Sequence, residues 1–110
     1  FKNKKSFLAM TAHIIFDKID KKNTVTHSKK IVELIRNEIG FKNILISDDL
    51  SMKSLKGTLE ENIVKTFKAG CNLALHCNGN FKEMEIVAKN SPIINKFLLK
   101  KTSQFYKIIS

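Results

Sequence analysis

Arginine is nearly missing from this chain of 110 residues: of 20 basic residues against 10 acidic ones, Arg36 is the only arginine and the others are lysines. The net charge of +10 would draw phosphates if it were gathered on one face. Sequence-specific recognition of nucleic acid, however, leans on the bidentate guanidinium fork. The lysines are also scattered over every segment, so the charge is expected on solvated helix faces and no nucleic-acid partner is expected. Cysteine is equally sparse. Cys71 and Cys77 are not spaced as a redox or zinc half-site and make no disulfide framework. A zinc site from Cys71, His76 and Cys77 lacks a fourth ligand at plausible spacing, which leaves reduced thiols in or near a core as the expectation. No run approaches the roughly 18 apolar residues of a membrane span, and neither common glycine-rich phosphate loop occurs. Neither metal nor cofactor is expected. The opening Phe1-Lys2-Asn3-Lys4-Lys5 is basic, but Ser6 to Ile15 is broken by Thr11 and His13 and lacks a small-residue cleavage site, so no secretory signal is expected. A first residue of Phe, not Met, suggests an excerpt of a longer protein. The 43% hydrophobic content is that of a globular domain.

What is present is a repeat of strand, loop and helix. Ser6 to Thr11 has the composition of a short buried strand, followed by a polar connection through Asp17, Asp20 and Asn23. Ser28 is placed to cap a helix whose apolar stripe is Ile31, Val32, Leu34, Ile35 and Ile39, leaving Lys29, Glu33, Arg36 and Asn37 towards water. Gly40 stands where a helix C-cap belongs. Ile44-Leu45-Ile46 is a continuous apolar run, the mark of a strand covered on both faces as in a parallel sheet, and it ends at Ser47-Asp48-Asp49. Thr58-Leu59-Glu60-Glu61 is a capping box, opening a helix expected to bury Leu59, Ile63, Val64 and Phe67 and to close at Gly70. Leu73-Ala74-Leu75 is the third short strand, ending near Cys77-Asn78-Gly79. Asn80 with Glu83 caps a helix carrying Met84, Ile86 and Val87. Ser91-Pro92 then restarts a helix with Pro at its first position, to be docked by Ile93, Ile94, Phe97, Leu98, Phe105 and Ile108.

The order β-α-β-α-β-α-α requires parallel strands and right-handed crossovers. Strand ends near residues 12, 48 and 77 recur at about the period of a βαβ unit. Doubly wound sheets and (β/α)-barrels share that rule, and both collect function at the C-terminal ends of their strands. His13, Asp48-Asp49 and Asn78 fall there, whereas Asn43 and Asn72 fall at the opposite ends. Adjacent strand residues point to opposite faces, so Asp48 and Asp49 are not a facing acid/base pair. One can enter a site while the other orients the backbone or caps the loop, and a turn or cap role for either is the ordinary alternative. His13 is a candidate for the site. His27 precedes a cap and is expected in solvent, whereas His76, within its strand and opposite Leu75, is expected to be packed or hydrogen-bonded. Asn78-Gly79-Asn80 is a turn signal and no more.

Leu34-Ile35-Arg36-Asn37-Glu38, Ile39-Gly40-Phe41-Lys42 and Asn43-Ile44-Leu45-Ile46-Ser47-Asp48-Asp49-Leu50-Ser51 together resemble the signature of glycoside hydrolase family three. That pattern has two aliphatics, a basic residue, an acid, a gap of four, Gly, three apolar residues and Ser/Thr-Asp. Asn43 stands where the family has Gly, and Asn tolerates a left-handed backbone better than most residues. Met10-Thr11-Ala12-His13 and Ser47-Asp48-Asp49-Leu50-Ser51-Met52 are similar to the bacterial β-N-acetylhexosaminidase branch of the cell-wall recycling type. The β-glucosidase branch has Trp after the nucleophile; this chain has Asp49 there and no Trp at all. Ala69-Gly70-Cys71-Asn72-Leu73 and Cys77-Asn78 resemble the eighth-strand region, with Asn72 in place of a common Asp and His76 in place of an apolar residue.

The resemblance implies an α/β fold: residues 1–110 as the C-terminal three βα units of a TIM (β/α)8 barrel with parallel strands and a helical tail over about 81–110. It implies a retaining glycosidase with Asp48 as catalytic nucleophile, forming a covalent glycosyl-enzyme intermediate. The acid/base, a His on a mobile upstream loop, has no counterpart in this chain. The implied substrate is terminal β-linked N-acetylglucosamine on peptidoglycan fragments, a carbohydrate partner met in the cytoplasm without membrane attachment. The remaining partner is the rest of the barrel, N-terminal to this chain. A β-glucosidase, an inactive α/β fragment and a basic nucleic-acid module are the rival identities.

Overall fold

The computed structural model describes residues 5–109; Phe1 to Lys4 of the basic opening, and Ser110, lie outside them. The elements are β1 (Leu8–Met10), α1 (Lys29–Leu34, continued by a wider π-type turn over Ile35–Ile39), β2 (Ile44–Asp49), α2 (Leu59–Ala69), β3 (Leu73–Leu75), α3 (Phe81–Asn90) and α4 (Lys96–Ile109). The strands form one parallel sheet in the order β1-β2-β3, as the strand–helix alternation requires. β1 pairs with β2 in the register Leu8 with Ile44 and Met10 with Ile46.

Local signals set most helix ends. The Ser28 hydroxyl accepts from the Ile31 N–H at 3.2 Å, Thr58 from Glu61 at 3.2 Å and Asn80 from Glu83 at 3.1 Å, each satisfying an otherwise orphaned helix donor. Gly40 and Gly70 end their helices in the left-handed conformation. The expected helix at Ser91-Pro92 is displaced. Ser91 is extended, because proline disfavours a helical residue before it, and α4 begins only at Lys96, where the Asn95 side chain accepts from the Leu98 N–H at 2.8 Å. The tail is therefore two helices with a break between them.

Val25, Ile31, Val32, Ile35, Phe41, Leu45, Ala69 and Cys71 form the core between the sheet and the first helices, with Ala9 packed against it. Of the apolar set expected inside, α2 buries Ile63, together with Asn62, Thr66 and Ala69, whereas Val64 is 38% exposed and Leu59 and Phe67 are half-buried. The last unit packs thinly. α3 buries no residue fully, α4 buries only Leu98, and Ile93, Ile94 and Ile108 stay exposed instead of docking. On the sheet face away from the core, Leu8 and Met10 of β1 are exposed by 47% and 54%. No helix among the described residues is long and apolar enough to cross a membrane.

Candidate active site

The parallel ladder is irregular where β2 ends. Between Ile46 and Asp49 the strand spans three residues while its partner β3 spans two, from Leu73 to Leu75. Such a bulge breaks regular pairing and re-aims side chains. One side-chain bond and one backbone bond join the strands here. The buried Ser47 hydroxyl accepts from the Leu75 N–H at 2.9 Å, and the Leu50 N–H donates to the Leu75 carbonyl at 2.8 Å.

Asp48 and Asp49 are both half-buried but differ in their partners. Asp49 Oδ1 accepts from the Ser51 N–H at 3.0 Å, the Ser51 hydroxyl at 2.8 Å and the Cys77 N–H at 3.0 Å. Asp49 Oδ2 takes the same hydroxyl at 2.7 Å. Desolvation pushes this carboxyl up, but those hydrogen bonds from Ser51 and Cys77, with the neighbouring His76, leave it below the usual carboxylate range. For Asp48, the one hydrogen bond among the described residues is from the Asp49 N–H to Oδ1, at 2.8 Å. Asp48 lies inside that bulge, next to the buried Ser47. Asp49 is a fastened turn residue, and Asp48 is an oriented carboxylate with acceptor capacity to spare.

His13 is buried beside this turn. Its Nε2 lies 2.8 Å from the Asp49 carbonyl oxygen, which can only accept, so Nε2 carries the proton. In the neutral ring Nδ1 then accepts from the Thr26 hydroxyl at 2.8 Å, and Thr26 in turn accepts from the Thr11 hydroxyl at 2.8 Å. Thr11 and Thr26 are buried; Thr11 belongs to the Met10-Thr11-Ala12-His13 run, whereas the loop that returns Thr26 to β1 carries no motif that would mark it.

The other candidates fall elsewhere. Asn78 donates to Glu83 at 2.8 Å and accepts from the Asn80 N–H at 2.9 Å, which makes it a turn residue. His76 lies just past β3 instead of within it, packed against Glu83 at 3.4 Å. His27 is half-buried instead of solvent-exposed, and desolvation, then Lys65 and His13, push its pKa down. Cys71 is in the core, where burial raises its thiol to about 11. Cys77 is exposed, and its pKa is raised by desolvation and by Asp49 and Asp48 beside it. Among the described residues no three His, Cys, Asp or Glu side chains converge as a metal site.

At the opposite end of the sheet Arg36, expected in water, is half-buried. Its guanidinium donates to the carbonyls of Phe41 at 2.9 Å and Asn43 at 2.6 Å and to Asn72 Oδ1 at 2.7 Å. It also lies over the rings of Phe41 and Phe97. The wider turn at Ile35–Ile39 rotates the helix face, which removes Arg36 from the solvent stripe that a regular helix would give it.

The sequence matches the Glycosyl hydrolase family 3 N terminal domain over residues 3–103. The beta-hexosaminidase of Photobacterium profundum is 28% identical over 106 residues, covering 91% of this chain and 32% of that protein. The beta-hexosaminidase of Nitrosomonas eutropha is 37% identical over 71 residues, covering 63% of this chain and 20% of that protein. Among solved structures, NagZ from Neisseria gonorrhoeae superimposes with a TM-score of 0.67 at 29% identity, covering 84% of this chain and 26% of its own. The chain thus spans a third or less of the length of these relatives.

Proposed function

The chain belongs to glycosyl hydrolase family 3, and from that membership we propose that it forms the last three βα units of a (β/α)8 barrel whose catalytic nucleophile is Asp48. Residues 1–110 would then be a part of the barrel domain, with α3 and α4 as its closing helices. The unpaired edges of β1 and β3, and the exposed Leu8 and Met10, are what the remaining strands would cover.

One observation carries the assignment. Two adjacent carboxylates stand at the C-terminal end of the central strand, and among the described residues Asp48 meets one donor where Asp49 meets three, so Asp48 keeps the greater acceptor capacity. A nucleophile needs that. An ionised carboxylate, held by one donor on a strand end, bonds to the anomeric carbon as the glycosidic C–O bond breaks and the protonated leaving group departs; water then attacks that carbon and displaces the carboxylate. Asp49, tied by three donors from Ser51 and Cys77, would have to break its own turn to do the same. The proton for the leaving group must come from outside this chain, so residues 1–110 alone should not turn over glycosides. The substrate proposed for the complete enzyme is terminal β-linked N-acetylglucosamine on peptidoglycan-derived fragments, in the cytoplasm, in line with the hexosaminidase relatives. The lack of any Trp favours a small pocket over a long stacking cleft.

In the complete enzyme, Asp48→Asn should lower kcat by on the order of 10⁴-fold or more, while Asp49→Asn keeps a measurable fraction. Mass spectrometry after trapping with a fluorinated sugar should place the label on Asp48; a label on Asp49 would reverse the assignment. Equal efficiency on aryl β-glucoside and aryl β-N-acetylglucosaminide would refute the substrate proposal and leave the nucleophile standing.

A further inference from the structure

We propose that His13 is a positioning residue for the reaction: its Nε2–H pins the Asp49 carbonyl and thereby fixes the backbone whose N–H aims the Asp48 carboxylate. The proposal rests on Asp48 as nucleophile. The last backbone bond from β1 to β2 is the Thr11 N–H to the Ile46 carbonyl at 2.9 Å. Beyond it lies the bulge of β2, and there the imidazole takes over the pairing at 2.8 Å. The peptide joining Asp49 to Leu50 is consequently held from both neighbouring strands. Its carbonyl is gripped by His13 from the β1 side, and its N–H by the Leu75 carbonyl of β3 at 2.8 Å. The Asp49 side chain is tied down by Ser51 and Cys77. What stays adjustable is the turn about Asp49 that directs its own N–H, the donor that holds Asp48 Oδ1 at 2.8 Å. Releasing the carbonyl would let that donor swing and blur the line of attack.

The ring itself is held in the required state. The Asp49 carbonyl can only accept, so Nε2 carries the proton; in the neutral ring Nδ1 then accepts from the Thr26 hydroxyl, whose oxygen accepts from Thr11. Both threonines and the histidine are buried, so water does not compete for these bonds. A buried imidazole whose two nitrogens are both engaged has no free atom to offer a sugar, which separates positioning from proton transfer.

The test uses the complete enzyme, with active sites counted by the fluorinated-sugar label. His13→Ala should lower kcat per labelled site by about 10- to 100-fold, the scale of a small misplacement of a reacting group, with KM within about threefold. His13→Gln carries an amide N–H to nearly the position of Nε2 and should recover kcat to within about threefold, with the wild-type pH profile. Thr26→Val keeps the contact to Asp49 but frees Nδ1, and should lower kcat per site by about three- to tenfold. That variant decides the matter if His13→Ala does not fold. A wild-type kcat per site in the Ala or Val variant, or a Gln variant as impaired as Ala, would overturn the proposal. A label on a residue other than Asp48 in the wild type is a separate failure, that of the nucleophile assignment.

Discussion

Asn72 stands at the entry of β3 and Asp48 near the exit of β2, at opposite ends of one sheet, and the two side chains are held in opposite ways. Asn72 Oδ1 accepts from Arg36 at 2.7 Å and from the Leu45 N–H at 2.9 Å, and Arg36 reaches on to two backbone carbonyls. Asp48 is held by a single donor among the described residues. Polar groups with several partners on one end tie the strands to the helices, and on the other the Asp48 carboxylate keeps acceptor capacity to spare. These bonds do not need charge at position 72, since both donors meet a neutral amide oxygen.

That contrast breaks most visibly at Arg36. Arg36→Ala removes the guanidinium that donates to the Phe41 and Asn43 carbonyls and to Asn72 Oδ1 and that lies over the rings of Phe41 and Phe97. The expected loss in the complete enzyme is about 2 to 3 kcal/mol by urea denaturation. The folded fraction should still be labelled at Asp48, and a loss below about 0.5 kcal/mol would mean that this end of the sheet does not depend on the clamp.

A glycine at each end sharpens the contrast at lower cost. Gly70 has φ +118°, and a Cβ there would meet Val32 Cγ1 at 2.8 Å, so both backbone and packing oppose Gly70→Ala, by about 1 to 2 kcal/mol or more. Gly79, beyond the exit of β3, has φ +72° and nothing within 4 Å of its would-be Cβ. Only the backbone opposes Gly79→Ala, by about 1 kcal/mol. Denaturation midpoints of the two variants should rank in that order, and a reversed order would place the tighter packing at the wrong end.

The smallest effect is at Asp20, in the long loop on the site's side. The Ser28 hydroxyl, then the Asn23 side chain, then the Lys22 N–H, bring its carboxyl from 3.8 down to about 2. A folded pKa below the unfolded one means that the folded state binds fewer protons. The stabilisation is therefore fully present above about pH 4 and fades as pH falls towards 2. Asp20→Asn should be less stable than wild type at neutral pH, with the gap closing over that window in acid denaturation. A gap that stays constant to pH 2 would show that the charge on Asp20 does not matter to the cap at Ser28.

Local chemistry in the sequence determined the elements. The apolar run Ile44-Leu45-Ile46, the caps at Ser28, Thr58 and Asn80 and the stops at Gly40 and Gly70 act within a few residues, and the strand–helix alternation they produce leaves parallel pairing as the only arrangement. The family signature placed Asp48 at a strand end for the same reason: its spacing is local. Tertiary structure alone decided how those residues are used. Arg36 finds its partners at positions 41, 43, 72 and 97, and a wider helical turn points it there. His13 meets Thr26 and Asp49 only after a loop closes and a strand bulges. α4 starts four residues later than Pro92 suggests, because Asn95 caps it. Burial and hydrogen-bond satisfaction at these places depend on atoms far apart in the chain, and no local pattern of residue types encodes them.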